Sequence, residues 1–252
     1  PPFSPTIGLF FENKAENKSQ KNTQERKVIS LLSDFISDLP FCLITIALPK
    51  IYLDMQPFFW DKFKVIPNYT YVLNLLSSAN EIYNSMSHER RNDIRKAEKD
   101  GIITKKTDDF AIVKNLVLKT FRRRTKSINE NYLNKILFEF ACQDNSFAFV
   151  SYKNDLPIAA SFCIYDKNTA YYMLGGYDDK NKHHGAGANA IWNSIQYAKE
   201  LKLNCFDFEG SMIQSVEKYF RGFGGQIVPY FTINKATVPI EIILKFYKRE
   251  IF

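Results

Sequence analysis

The sequence predicts a mixed α/β fold, and three observations carry that prediction. Residues 147–177 hold three apolar runs separated by the short turns Asn154-Asp-Leu-Pro157 and Lys167-Asn168, the pattern of an antiparallel meander. The meander leads into a polar loop ending His183-His-Gly-Ala-Gly-Ala188, then an amphipathic helix to Leu201, a strand, a helical segment and a last strand. Residues 78–140 carry helical starts and helical spacing. A strand–glycine loop–helix–strand unit of this kind can hold a phosphorylated ligand over the end of a sheet.

Taken in order, Thr6–Phe11 reads as a short strand and residues 12–22 as a polar loop. Thr23 then caps a helix whose Val28, Leu31, Leu32, Phe35 and Ile36 share one face, ending before Pro40. Phe41–Leu48 is nearly continuous in apolar residues, as expected of a strand buried on both faces. The aromatic segment Pro57–Phe63 follows, and Tyr69–Leu75 alternates as a strand. Ser78-Ala-Asn-Glu81 has capping-box spacing, and Ser87 is read as the same device opening Arg90–Asp100, with Gly101 as the stop. A helix near 110–123 ends in Arg122-Arg-Arg124. Another is capped by Ser127 and carries Leu133, Ile136, Leu137 and Phe140. A final apolar helix is expected near 239–249.

Composition narrows the function classes. With 252 residues and 45% hydrophobic content, the chain can bury one large core or two modest ones. No run approaches the roughly 20 apolar residues of a membrane helix, and no secretory signal opens the sequence, so a cytoplasmic protein is expected. Cys42, Cys142, Cys163 and Cys205 sit singly in apolar runs and are read as buried thiols. The net charge of +7 suits an anionic partner: nucleotide, CoA, tRNA or a lipid headgroup. His88, His183 and His184 lack zinc-ligand spacing, and no Gly-x-Ser-x-Gly elbow, Walker loop or dinucleotide fingerprint occurs. The basic cluster Arg122–Lys126 fits either RNA contact or a solvated helix end.

An internal echo suggests duplication. Residues 6–75 and 170–233 both run strand, polar loop, helix, apolar strand, aromatic segment, proline, strand. The expected organisation is a partial copy at 1–76, a complete domain at 77–235 and a C-terminal helix at 236–252. The missing initiator methionine agrees with a first copy whose front half lies before Pro1.

Five segments together resemble the GNAT acyltransferases, and within them the FemA/FemB branch. They are Arg90–Lys99, Leu174-Gly-Gly-Tyr-Asp178, Trp192–Lys199, Phe206-Asp-Phe-Glu-Gly-Ser211 and Tyr219-Phe-Arg-Gly-Phe-Gly-Gly225. The resemblance implies a GNAT-like fold that moves an acyl or aminoacyl group from acyl-CoA or aminoacyl-tRNA to an amine, with a peptidoglycan precursor as acceptor. It implies no metal. That branch has two tandem GNAT-like domains, in line with the echo.

It also assigns residues. Lys182, Gly185, Ala186, Gly187 and Ala188 fit the basic-x-x-Gly-x-Gly/Ala loop that holds CoA pyrophosphate, although FemA/FemB relatives often lack a working version. Gly175 and Gly176 fall where GNAT strands splay and a backbone N–H polarises the acyl carbonyl; a simple bend is the alternative. Asp207 and Glu209 alternate with Phe206 and Phe208, so one strand face would carry both carboxylates. Either could act as base, Glu209 being preferred, or pair structurally with Arg91 or Arg95. Arg221 would face the acyl carrier or the oxyanion, or simply solvent. Tyr172 and Tyr177 are possible acids for the leaving group. The competing class is a non-catalytic GNAT-like module that binds an anionic partner.

Overall fold

The computed structural model describes residues 6–123, 128–210 and 212–247. The chain divides into two compact units: residues up to Tyr69 with those from Val228 onward, and Thr70–Ile227.

The smaller unit contains α1 (Lys18–Ser37), β1 (Leu43–Ala47), α2 (Gln56–Trp60), the start of β2 (Lys64–Asn74), most of β8 (Gln226–Ala236) and α9 (Val238–Tyr247). Its strand order is β1-β8-β2, with Leu43 opposite Ala236 and Ala47 opposite Thr232. Ile29, Ile36, Leu48, Phe58, Phe63 and Ile233 form its core.

Three sequence expectations are corrected in this unit. Thr6–Phe11 is not a strand; Ile7 N–H donates to the Ala47 carbonyl at 2.8 Å, and the segment makes no ladder. The first helix starts at Lys18, where the Asn17 side chain accepts from Gln20 N–H, because a polar turn can be helical without an apolar stripe. The apolar strand lies at one end of the strand order and keeps Leu43 and Thr45 more exposed than their neighbours, so it is not buried on both faces.

The larger unit holds the rest of β2, then α3 (Ala79–Ser85), α4 (His88–Lys99), β3 (Ile103–Thr107) and α5 (Phe110–Arg123). After these come α6 (Glu130–Asn134), a π-helical turn at Lys135–Phe140, β4 (Ser146–Lys153), β5 (Leu156–Tyr165), β6 (Thr169–Tyr177), α7 (Ala186–Glu200), β7 (Cys205–Asp207) and α8 (Gln214–Arg221). Strand order is β2-β7-β6-β5-β4-β3, antiparallel except for β6 beside β7. The expected meander is therefore present, and β3 extends it by one strand. Asn154 and Asp155 both take left-handed φ, +48° and +59°, closing the β4–β5 hairpin as a two-residue turn.

Ser78 and Glu81 complete the expected capping box on α3. Ser87 caps α4 through Arg90 N–H, but Arg90 does not reciprocate, so the second box is only half made. Asp100 ends α4 and Gly101 follows at φ +74°. Ser127 lies outside the described residues; the cap actually seen for α6 is Asn129. The core gathers Leu73, Ile94, Phe147, Ile191, Ile195, Phe206, Phe208 and Phe223 around the inner strands. Of the cysteines only Cys163 is fully buried; Cys42 and Cys142 are exposed and Cys205 is intermediate, which corrects the buried-thiol reading. Among the described residues no helix is long and apolar enough to cross a membrane.

Candidate active site at the divergence of strands β6 and β7

Strands β6 and β7 pair in parallel over Thr169–Tyr171 and Cys205–Asp207, and no further. Beyond Tyr171, β6 runs on to Tyr177 paired only with β5. The two strands thus separate just where Tyr172, Gly175 and Gly176 follow on one side and Asp207 and Glu209 on the other.

The glycines there answer to close packing. A Cβ at Gly175 would overlap the Tyr172 hydroxyl, so the phenol lies across the glycine. The Tyr172 ring packs edge-on against Phe220, 5.7 Å between centroids, and tilts against Phe208. A Cβ at Gly176 would come within 2.6 Å of Leu116 Cβ, so α5 rests directly on β6 there. Tyr177 is tied to the same helix, its N–H donating to Thr120 Oγ1 at 2.8 Å.

Asp207 and Glu209 do not share a strand face. β7 ends at Asp207, and Glu209 and Gly210 both adopt left-handed φ, +58° and +73°. Asp207 is buried, and its Oδ1 accepts from Thr70 Oγ1 at 2.6 Å and from Glu209 N–H at 2.9 Å. Asp207 therefore fastens the turn that presents Glu209, which stays partly exposed at the strand divergence. The suggested arginine partners are engaged elsewhere: Arg91 donates to the Asn84 carbonyl at 2.8 Å, and Arg95 donates to Asn92 Oδ1 and the Arg91 carbonyl.

Arg221 closes α8 with a 61% exposed side chain. Its Nε lies 3.0 Å from Glu217 Oε1, which also accepts from Tyr71 OH at 2.5 Å. The next turn, Gly222–Gly225, needs glycine at position 224, where φ is +82° and a Cβ would lie 2.6 Å from the Ser85 carbonyl.

The glycine loop is tightly organised. Asp178 is buried and accepts from Lys119 Nζ at 2.7 Å, Lys180 N–H at 3.0 Å and Asn181 Nδ2 at 3.2 Å. These donors, Lys119 first, bring its carboxyl down to about 2. Gly185 N–H donates to His183 Nδ1 at 3.2 Å, which leaves His183 Nε2 to donate to Asp100 Oδ2 at 3.1 Å. Ala186 N–H is taken up by the His183 carbonyl at 3.2 Å. A Cβ at Gly185 would overlap the Asp93 carbonyl oxygen, so this glycine seats α7 on α4. Ala186 and Ala188 are buried, and the Tyr219 hydroxyl would lie 3.2 Å from a Cβ at Gly187. Lys182 is exposed and lines a cavity with Lys153 and Lys180.

Beside this loop lies a polar cluster that no sequence motif marks, in which Arg90 and Asp93 are buried and His184 is exposed. Asp93 receives Arg90 Nη1 at 2.7 Å and His184 Nε2 at 2.9 Å. Burial pushes the Asp93 carboxyl up, against the opposing pull of Arg90 and His184. The Arg90 guanidinium lies 4.2 Å over the Tyr219 ring and 5.7 Å from the Phe223 ring, and burial raises the Tyr219 phenol to about 12. The signal was present: Arg90 and Asp93 fall on the same α4 face as Ile94 and Ala97.

Comparison with known proteins agrees with this architecture. A family model described as an acetyltransferase (GNAT) domain matches residues 84–221. Aminoacyltransferase FemA of Staphylococcus epidermidis is 28% identical over 109 residues, 38% of this chain and 26% of FemA. The match thus spans about a quarter of that curated relative's length. Among solved structures, FemX superposes with a TM-score of 0.64 at 12% identity, covering 82% of this chain and 75% of FemX. L-PGS from Bacillus licheniformis gives 0.53 at 12% identity, covering 80% of this chain and 71% of that one. These structures share the fold. With more than half of its length matched by that family model, the chain belongs to the GNAT acetyltransferase-domain family.

Proposed function

We propose that the protein transfers an acyl or aminoacyl group from an activated carrier to an amine at the divergence of β6 and β7. The observation that carries this reading is the divergence of β6 from β7 beyond Tyr171, bordered by Tyr172, Gly175 and Gly176 and by the Asp207–Glu209 turn. Backbone N–H groups at such an edge can stabilise the oxyanion that forms as the amine attacks the acyl carbonyl. Glu209, held by Asp207, takes the proton from the attacking amine. Tyr172 donates to the leaving oxygen or sulfur, and the Arg221 guanidinium neutralises charge on the carrier.

Of the two carriers, aminoacyl-tRNA is favoured over acyl-CoA. In the glycine loop, the N–H groups of Gly185 and Ala186 are already bonded to His183, and Gly185 is pressed against α4. That leaves Gly187 and Ala188 to meet a pyrophosphate. The likeness to an aminoacyltransferase points the same way, and the FemA/FemB resemblance of the sequence implies a peptidoglycan precursor as acceptor. The test supplies charged tRNA or acetyl-CoA together with a peptidoglycan precursor, and detects acylated product by mass spectrometry. Product from charged tRNA supports the reading, product from acetyl-CoA alone reverses the order of carriers, and product from neither removes it in favour of an anion-binding module.

A further inference from the structure

We infer that Thr70 is a positioning residue that acts through Asp207 to hold the Glu209 carboxylate at the divergence of β6 and β7; this rests on the reading of Glu209 as the proton acceptor in transfer.

The need for a holder comes from the backbone. Glu209 sits at φ +58°, a left-handed conformation that costs energy in any residue with a Cβ, and Gly210 follows at φ +73°. The β7 strand has already ended at Asp207. Phe208 N–H still donates to the Tyr71 carbonyl at 3.0 Å, and Glu209 N–H then turns back to Asp207 Oδ1 at 2.9 Å. The strained residue is therefore tied down through one carboxylate oxygen.

That oxygen is fixed in turn from β2. Val72 stands opposite Asp207 in the β2–β7 ladder, and Thr70, two residues earlier on β2, lies on the same face. The Thr70 hydroxyl donates to Asp207 Oδ1 at 2.6 Å, the same oxygen that receives Glu209 N–H. Its acceptor is a carboxylate, which strengthens the bond, and the branched Cβ of threonine restricts the rotation of its hydroxyl. Thr70 and Asp207 are each 3% exposed, so bulk water does not replace a lost hydroxyl.

The turn delivers Glu209 to the right place. Burial first, then Asp166 and also Glu209, raise the Tyr171 phenol, so the Glu209 carboxylate lies within electrostatic reach of Tyr171. Tyr171 is the last β6 residue paired with β7. The Thr70 hydroxyl is committed to Asp207 and acts on Glu209 only through it.

The experiment compares Thr70→Val, which keeps the branched shape and removes the hydroxyl, with Thr70→Ser, which keeps the hydroxyl. Hydrogen exchange of the Glu209 amide, followed by NMR on the full chain, reads the turn without any transfer reaction. That amide is expected to exchange about tenfold faster in Thr70→Val and near the unaltered rate in Thr70→Ser. Amides of the β4–β5 ladder should keep their protection in both variants. In the transfer assay Thr70→Val should lower kcat about tenfold with KM unchanged, and Thr70→Ser should restore it. Unchanged Glu209 exchange in Thr70→Val overturns the inference, as does an unchanged kcat. Loss of β4–β5 protection alongside that of Glu209 shows a general structural role and overturns it too. If the unaltered protein transfers nothing, the transfer reading falls, and exchange alone decides whether Thr70 sets the turn.

Discussion

The phenol of Tyr71 donates to the Glu217 carboxylate at 2.5 Å, and the same oxygen receives Arg221 Nε at 3.0 Å. Tyr71 comes from β2 and Glu217 from α8, so a contact 146 residues apart in sequence sets the direction of an exposed guanidinium. With Nε occupied, the two Nη groups are left to face an anion. Arg221→Ala should lower the proposed transfer rate about 100-fold, and Glu217→Gln about tenfold through misdirection of the same group. Steady-state kinetics of both variants checks this; equal rates for Glu217→Gln and the unaltered protein would remove the positioning role.

Gly185 seats α7 against the backbone of α4, and any side chain there must push the helices apart. Gly185→Ala should cost about 2 kcal/mol of stability even though alanine favours helices. Urea denaturation gives the number. A neutral or stabilising result would show that α4 can yield at this point.

Asp178 carries a pH dependence with a definite sign. Its folded-state value, about 2, lies below the ordinary aspartate value of 3.8, so its contribution is present above pH 4 and fades as the pH falls toward 2. Because Lys119 is half exposed, the contribution is on the order of 1 kcal/mol. Stability measured between pH 5 and 2 should fall less steeply in Asp178→Asn, a variant already lacking that contribution at pH 7.

Thiol reactivity should split by burial. The Cys163 thiol is enclosed, and burial lifts it to about 12, while Cys42 and Cys142 are exposed. At pH 8 a thiol reagent should label Cys42 and Cys142 promptly and reach Cys163 only after unfolding. Prompt labelling of Cys163, mapped by peptide mass spectrometry, would contradict the packing around β5.

The meander and its Asn-Asp turn were legible because apolar runs and left-handed turn residues are local signals. Strand β3 was not: Ile103-Thr-Lys-Lys-Thr107 holds a single apolar residue, since a strand at the end of the sheet needs little more. The apolar run at Phe41–Leu48 misled in the opposite direction, because nothing in its composition tells an end strand from an inner one. The geometry around the candidate residues was not legible. Alternation put Asp207 and Glu209 on one face, whereas the left-handed turn at Glu209 and Gly210 separates them. The Arg90–Asp93 pair was hidden because charged residues on a helix are ordinarily solvated, and only the tertiary packing shows that these two are enclosed, with the exposed His184 capping them.

The phenol of Tyr172 occupies the space that a side chain at Gly175 would need. The two positions are therefore not free to vary separately. A lineage could gain a side chain at 175 only after shortening residue 172, and a shortened residue 172 leaves a void that a larger residue at 175 can fill. Gly175→Ala should be harmful beside Tyr172 and tolerated beside a smaller residue. Selection would then act on the pair as one inherited unit.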